Sequence, residues 1–149
     1  DTGVRTAFLR TGIVLSEEGG ALAKMLTPFK MGLGGRISRG LQQMSWVSLP
    51  DLVSMYVFAV ENESVAGAIN AVAPKPVSNL EFTKVLGKVL GRPTLFPLPA
   101  AVVKTLFGEM GKETFLSDLG VIPAKLQRLG FEWESPSLEE TLKQTINQS

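Results

Sequence analysis

Apolar positions along this chain fall in short runs cut by glycine and proline, and the period of each run points to an element. Residues 4–9 (VRTAFL) mix β-branched and aromatic side chains and read as a buried parallel strand. That strand delivers Arg10-Thr11-Gly12 as a short polar tip before three more apolar residues and an acidic, glycine-rich loop. Leu22, Met25, Leu26 and Phe29 recur at helical spacing, which predicts a helix after Gly20 that Pro28 bends or ends. "GLGGRISRG" reads as a glycine-punctuated loop with room for a short strand, and "QQMSWVSL" as a strand running to Pro50-Asp51. Pro50 suits the first turn of the next helix, where its missing N–H costs nothing. Leu52, Met55, Tyr56 and Ala59 give that helix its apolar face.

"GAINAVAP" is strand-like and stops at Pro74-Lys75-Pro76, with Asn70 near its end. Ser78 followed by Glu81 matches a capping box, and the helix it begins ends near Gly91. "TLFPLP" is a short strand. Residues 100–118 form two short helices broken between Gly108 and Gly111. Pro123 opens "AKLQRLG", with Gly130 as a left-handed cap; "FEW" is strand-sized, and Ser137 with Glu140 repeats the capping pattern before a last helix. Strands alternate with helices in the first half, and the second half is mainly helical. That order predicts an α/β fold whose second half can form a lobe of its own.

Composition narrows the chemistry more than the fold. The apolar share of 44% supports a real core, and 15 Lys+Arg against 14 Asp+Glu leave no broad field for nucleic acid. Neither cysteine nor histidine occurs, which removes disulfides, thiolate nucleophiles, the commonest metal ligands and any Ser-His arrangement. Carboxylates, lysines and the single Tyr56 remain as acid/base groups. Tyr56 is followed four residues on by Val60, so no Tyr-x-x-x-Lys occurs. No apolar stretch approaches the roughly 18–20 residues that span a bilayer. A cytoplasmic protein without membrane or nucleic-acid partners is the expectation. The chain begins at Asp1 rather than Met, as a processed or partial chain would.

Single motifs carry little. The glycine-rich loop lacks the Lys-Ser/Thr of a P-loop and joins no obvious strand directly to a helix, so a flexible connection is the simpler reading. Its Arg36 and Arg39 suit either an anionic ligand group or ordinary surface charge. Asp51 reads as a complement to a helix N-terminus and Trp46 as core. Gln42 and Gln43 are possible donors to a sugar or carboxylate.

Taken in order, the blocks say more. "GVRTAFLRTGIVLSEEGGALAKMLTPFKMGLGG", "QQMSWVSLPDL", "GAINAVAPKPVSNLEFTKVLGKVLGRP", "LPAAVVKTLFGEM" and "PAKLQRLGFEWESPSLEETL" resemble one half of a known family. It is the carboxy-terminal half of the atypical extended short-chain dehydrogenase/reductases, often called sugar-nucleotide epimerase-like proteins. The likeness runs from about Gly3 to Leu142. It implies late strands and helices of a Rossmann-type parallel sheet, within residues 1–73. It also implies a small substrate-side lobe, mainly helical, over residues 74–149. The amino-terminal half, with the Gly-rich turn that binds NADP(H), lies outside the chain, as does the segment where the superfamily carries Tyr-x-x-x-Lys. The family block at "MSWVSLPDL" usually has His where Ser48 stands and often Asp where Pro50 stands, while Asp51 is retained.

Carried over by position, Arg10, Thr11, Gly12 and Ile13 are the cofactor-binding candidates, beside the nicotinamide and the substrate. Gln42, Gln43 and Arg36 are the substrate-binding candidates, near a nucleotide-sugar group. The implied function is an NADP(H)-dependent epimerase-like oxidoreductase acting on a nucleotide sugar or small carbonyl compound, with this chain alone inactive and binding little or no cofactor. The implied partners are the missing Rossmann half, the small-molecule substrate and a second copy in a homodimer. A non-catalytic binding or self-association module derived from such an enzyme, or an unrelated α/β regulatory domain, are the alternatives.

Overall fold

Residues 7–15 are a single extended run interrupted at Gly12, and the computed structural model, which describes residues 3–147, shows that its two parts pair with different strands. Strand β1 (Ala7–Thr11) runs parallel to β5 (Gly67–Ala71), from Ala7 opposite Gly67 to Thr11 opposite Ala71. Strand β2 (Ile13–Leu15) runs parallel to β4 (Trp46–Ser48), from Ile13 opposite Trp46 to Leu15 opposite Ser48. Parallel pairs need crossover connections. Helix α1 (Gly20–Lys30) and β3 (Gln43–Met44) lie in the crossover from β2 to β4, and α2 (Leu49–Glu61) joins β4 to β5. Strand β6 (Val77–Ser78) returns antiparallel to β3. The rest is helical: α3 (Asn79–Leu90), α4 (Ala100–Leu116), α5 (Ala124–Arg128) and α6 (Leu138–Asn147).

Neighbouring residues on a strand point to opposite faces, and β4 uses this to divide two cores. Trp46 packs with Leu15, Phe29, Phe82, Leu86 and Leu142 under α1, α3 and α6. Val47, on the other face, packs with Met55, Ala59, Ile69, Leu126 and Phe131 under α2 and α5. The predicted stripe of Leu22, Met25, Leu26 and Phe29 is the buried face of α1. Ser78 accepts the Glu81 N–H at the start of α3, which ends on Gly91 at φ 64°. Helix α4 breaks at Gly108, where φ is 69° and ψ is −162°.

Several expectations shift. Arg10 and Thr11 are the last residues of β1, paired with Asn70 and Ala71, rather than a loop beyond it. Pro28 sits within the last turn of α1, which continues to Lys30. Residues 94–99 form only a bridge from Leu98 to Ile37, because Pro93, Pro97 and Pro99 supply no N–H and the neighbouring side chains are mostly exposed. "FEW" is not a strand. The Phe131 N–H closes the end of α5 on the Leu126 carbonyl, and the Trp133 indole N–H donates to the Val72 carbonyl. Tyr56 is 52% exposed, since the buried stripe of α2 is Asp51, Met55 and Ala59.

Asp51 does more than complement a helix end. It is 1% exposed, and its carboxylate accepts the backbone N–H groups of Glu134 at 2.8 Å and Ser135 at 3.1 Å. The Ser48 hydroxyl donates to its second oxygen at 2.9 Å and in turn accepts the Asp51 N–H. The start of α2 is thereby tied to the segment leading into α6. At the other end of α2, the Arg5 guanidinium donates to the carbonyls of Ala59, Val60 and Val65. Removing the carboxylate leaves two N–H groups without their acceptor, each costing about 1–3 kcal/mol when buried. Asp51→Ala is therefore expected to lose about 3 kcal/mol in urea unfolding, with Asp51→Asn intermediate.

On the surface, Glu139 of α6 accepts from Lys143 at 2.7 Å and from Lys88 of α3 at 3.1 Å. Those two partners, Lys143 first, hold its carboxyl below the ordinary value. The folded chain binds that proton more weakly than the unfolded chain does. The stabilisation is therefore complete above the ordinary carboxylate range and is lost as pH falls through the lowered value. The difference in urea midpoint between wild type and Glu139→Gln should be small at neutral pH, shrink with salt, and vanish in acid.

Candidate functional site

A cleft of about 730 Å³ opens where the chain passes from β1 to β2. It lies beyond the carboxyl ends of β1 and β5, the place where open α/β sheets bind ligands. Arg10, Thr11, Gly12 and Ile13 all line it. Asn70 and Val72 enter from the end of β5, Met44 and Ser45 from the β3–β4 segment, and Leu119 and Val121 from the stretch after α4.

Gly12 is fixed by its surroundings. A Cβ there would come within 2.7 Å of the Ser45 carbonyl oxygen and 2.9 Å of Val72 Cγ1. The Ile13 N–H donates to that same Ser45 carbonyl at 2.8 Å. Only glycine lets the strand change partners here while its backbone remains part of the cleft wall.

The opposite wall is a strap, residues 118–122, tied down at four points. Asp118 Oδ1 accepts the Gln43 N–H at 2.8 Å, and the Leu119 N–H donates to the Gln43 carbonyl at 3.1 Å. The Ser45 hydroxyl donates to the Leu119 carbonyl at 2.7 Å and accepts the Val121 N–H at 2.9 Å. The Asn70 amide donates to the Ile122 carbonyl at 3.1 Å. Sequence reasoning missed this wall. Its anchors are separated by 52 to 76 positions along the chain, and its residues have neither strand nor helix periodicity.

The substrate candidates lie elsewhere. The Gln42 amide donates to the carbonyls of Ile37 and Phe115, and Gln43 works through its backbone as an anchor of the strap. Arg36 is half-buried, offers its carbonyl to the Leu98 N–H, and does not line the cleft. Among the described residues, the side chains of Arg10 and Thr11 make no hydrogen bond or ion pair, so both are free to meet a ligand. Among the described residues, Arg10 is the one ionisable side chain of the cleft wall, with no carboxylate, lysine or tyrosine beside it. A second hollow, of about 740 Å³, lies between α1, the start of α2 and α6 and is lined by Glu17, Glu18 and Lys30; it meets the first only at Ser16 and Leu49 and reaches no carboxyl end of β1 or β5.

The fold is mixed α/β with parallel strand pairs and matches in structure the carboxy-terminal region of short-chain dehydrogenase/epimerase-type proteins. Residues 98–145 match a family model described as "Domain of unknown function (DUF1731)". Epimerase family protein ML0860 of Mycobacterium leprae is 41% identical across 94% of this chain and 46% of its own length. The crystal structure of human epimerase family protein SDR39U1 (isoform 2) with NADPH superposes with a TM-score of 0.89 at 37% identity, over 97% of this chain and 49% of that one. A nucleoside-diphosphate sugar epimerase from Corynebacterium glutamicum is 31% identical with a TM-score of 0.52, over 98% of this chain and 34% of its own. The chain thus spans about half the length of the curated relatives it matches.

Adding one methyl at the partner switch should be felt at once. Gly12→Ala is expected to cost about 1–3 kcal/mol, because its Cβ meets backbone rather than a flexible side chain. Thermal unfolding checks this, with Gly19→Ala, which has open space around it and loses only a favoured cap residue of α1, expected to cost less.

Proposed function

We propose that this chain is the substrate-side part of an epimerase family protein, an NADP(H)-dependent oxidoreductase acting on a nucleotide sugar or a small carbonyl compound. The supporting observation is the cleft itself, which gathers Arg10, Thr11, Gly12 and Ile13 at the carboxyl ends of β1 and β5. NADPH is present in the crystal structure of the human relative.

The residues present fit one end of such a cofactor. Walls that are largely apolar, with a free hydroxyl at Thr11 and a backbone edge at Gly12, suit a flat nicotinamide ring. Gly19 and Gly20 enter the wall at the start of α1, without the G-x-G-x-x-G spacing of a pyrophosphate-binding turn. When bound, the cofactor exchanges a hydride with a carbonyl carbon. Thr11 can hold a carbonyl or carboxamide oxygen, Arg10 can balance one negative charge, and the strap excludes water from that side. Among the described residues, none in the wall can pass a proton as a carboxylic acid, lysine or tyrosine would. The acid/base group then has to come from the other half.

A self-associating module is the second reading. It draws on β1, which pairs on one side only among the described residues, and on exposed Phe8, Val53 and Val60.

Titration with reduced nicotinamide mononucleotide, followed by amide NMR, tests the leading reading. Weak binding should move the amides of Thr11, Gly12 and Ile13, and Arg10→Gln should weaken it. No change at these amides up to millimolar ligand would count against the assignment. The chain alone should oxidise NADPH no faster than a blank with any carbonyl compound; steady turnover would show that it holds an acid/base group after all.

A further inference from the structure

We infer that this side of the cleft selects an uncharged, largely apolar carbonyl compound rather than a nucleotide sugar, and that Leu119 and Val121 of the strap set that preference. The inference rests on reading the cleft as the substrate site and narrows the substrate class it takes.

The polar groups of the wall are mostly committed. The Ser45 hydroxyl is used in both directions by the strap, and the Asn70 amide N–H by the Ile122 carbonyl. The Ser16 hydroxyl accepts the Glu18 N–H at 3.2 Å. Arg10 and Thr11 are the polar side chains of the described wall with no partner at all, while the Asn70 amide keeps its oxygen and one N–H and the Ser16 hydroxyl can still donate. A nucleoside-diphosphate sugar brings two phosphate groups, a base edge and several hydroxyls. Each polar group buried without a partner costs affinity, and a lone guanidinium cannot serve them all.

The residues that would recognise such a ligand by resemblance are also out of reach. Gln42 has spent its amide on two carbonyls, Gln43 is held by β6 and the strap, and none of Gln42, Gln43 and Arg36 lines the cleft. What the wall offers instead is Ile13, Val14, Met44, Val72, Leu119 and Val121. Leu119 and Val121 are 50% and 40% exposed, yet the hydrogen bonds of the strap fix their backbone. Apolar side chains pinned in an exposed position are placed to meet an apolar body, whose carbonyl Thr11 can then hold. Pocket walls of this kind, mostly apolar with few convergent polar groups, are the usual form of a small-molecule site.

Methyl NMR of the chain, titrated in parallel with acetophenone and with UDP-glucose, decides the question. Acetophenone should move the Val72, Leu119 and Val121 methyl signals saturably, and UDP-glucose should leave them in place. Leu119→Gln combined with Val121→Asn should weaken acetophenone roughly tenfold. An unchanged pattern for the remaining methyls would show the variant folded, and the titrations of the unmodified chain stand without it. UDP-glucose saturating those methyls more tightly than acetophenone, or acetophenone leaving them unmoved, overturns the inference. Failure of the functional reading looks different: reduced nicotinamide mononucleotide then leaves Thr11 and Gly12 unmoved while the ketone still reaches Leu119 and Val121.

Discussion

The approach of Gly12 to the Ser45 carbonyl is the constraint on which the cleft depends. A strand that changes partners must pass close to the backbone of the next one, and here a Cβ would lie at 2.7 Å from that oxygen. The contact brings the ends of β1 and β5 against the segment between β3 and β4. It sets Thr11 and Ile13 on either side of the switch. Ser45 is held through its carbonyl by Ile13, so its hydroxyl is in place to hold the strap. One glycine therefore positions both walls, directly on one side and through Ser45 on the other.

Asp51 does a comparable task away from the cleft. Its carboxylate lies in the interior, where an unpaired charge would be costly, and its bonds to Glu134, Ser135 and Ser48 offset that cost. Both oxygens accept from groups donated by the chain itself. The consequence is that α2 and the segment before α6 are joined, and with them the two cores that β4 separates. With both oxygens taken by backbone N–H groups and the Ser48 hydroxyl, Asp51 has a structural role rather than acid/base work.

On the function proposed above, the cleft is one part of a site. It supplies a shaped, mostly apolar wall, a hydroxyl and one cation, and no group suited to passing a proton. Its relatives are about twice as long as this chain, and NADPH occurs in one of their crystal structures. On the function proposed above, these residues would bind and orient, and the groups for phosphate binding and proton transfer would lie outside them.

Local pattern was enough for most elements. The candidates Arg10 through Ile13 came from the family resemblance, whereas helical spacing marked the buried face of α1, Ser78 and Gly91 marked the ends of α3, and Gly108 marked the break in α4. These are decided by backbone propensity and by neighbours within a few residues, which the sequence records. It could not show that residues 7–15 divide between two partners, that "FEW" would spend the Phe131 N–H on a helix end and the Trp133 indole N–H on the Val72 carbonyl, or that the Gln42 amide N–H groups would be taken by two carbonyls. Nor could it place the strap, whose anchors lie 52 to 76 residues away in the chain. Those outcomes turn on which distant donors and acceptors meet once the cores close. Hydrogen-bond partners at such separations leave no period in the sequence, so only the tertiary structure decided them.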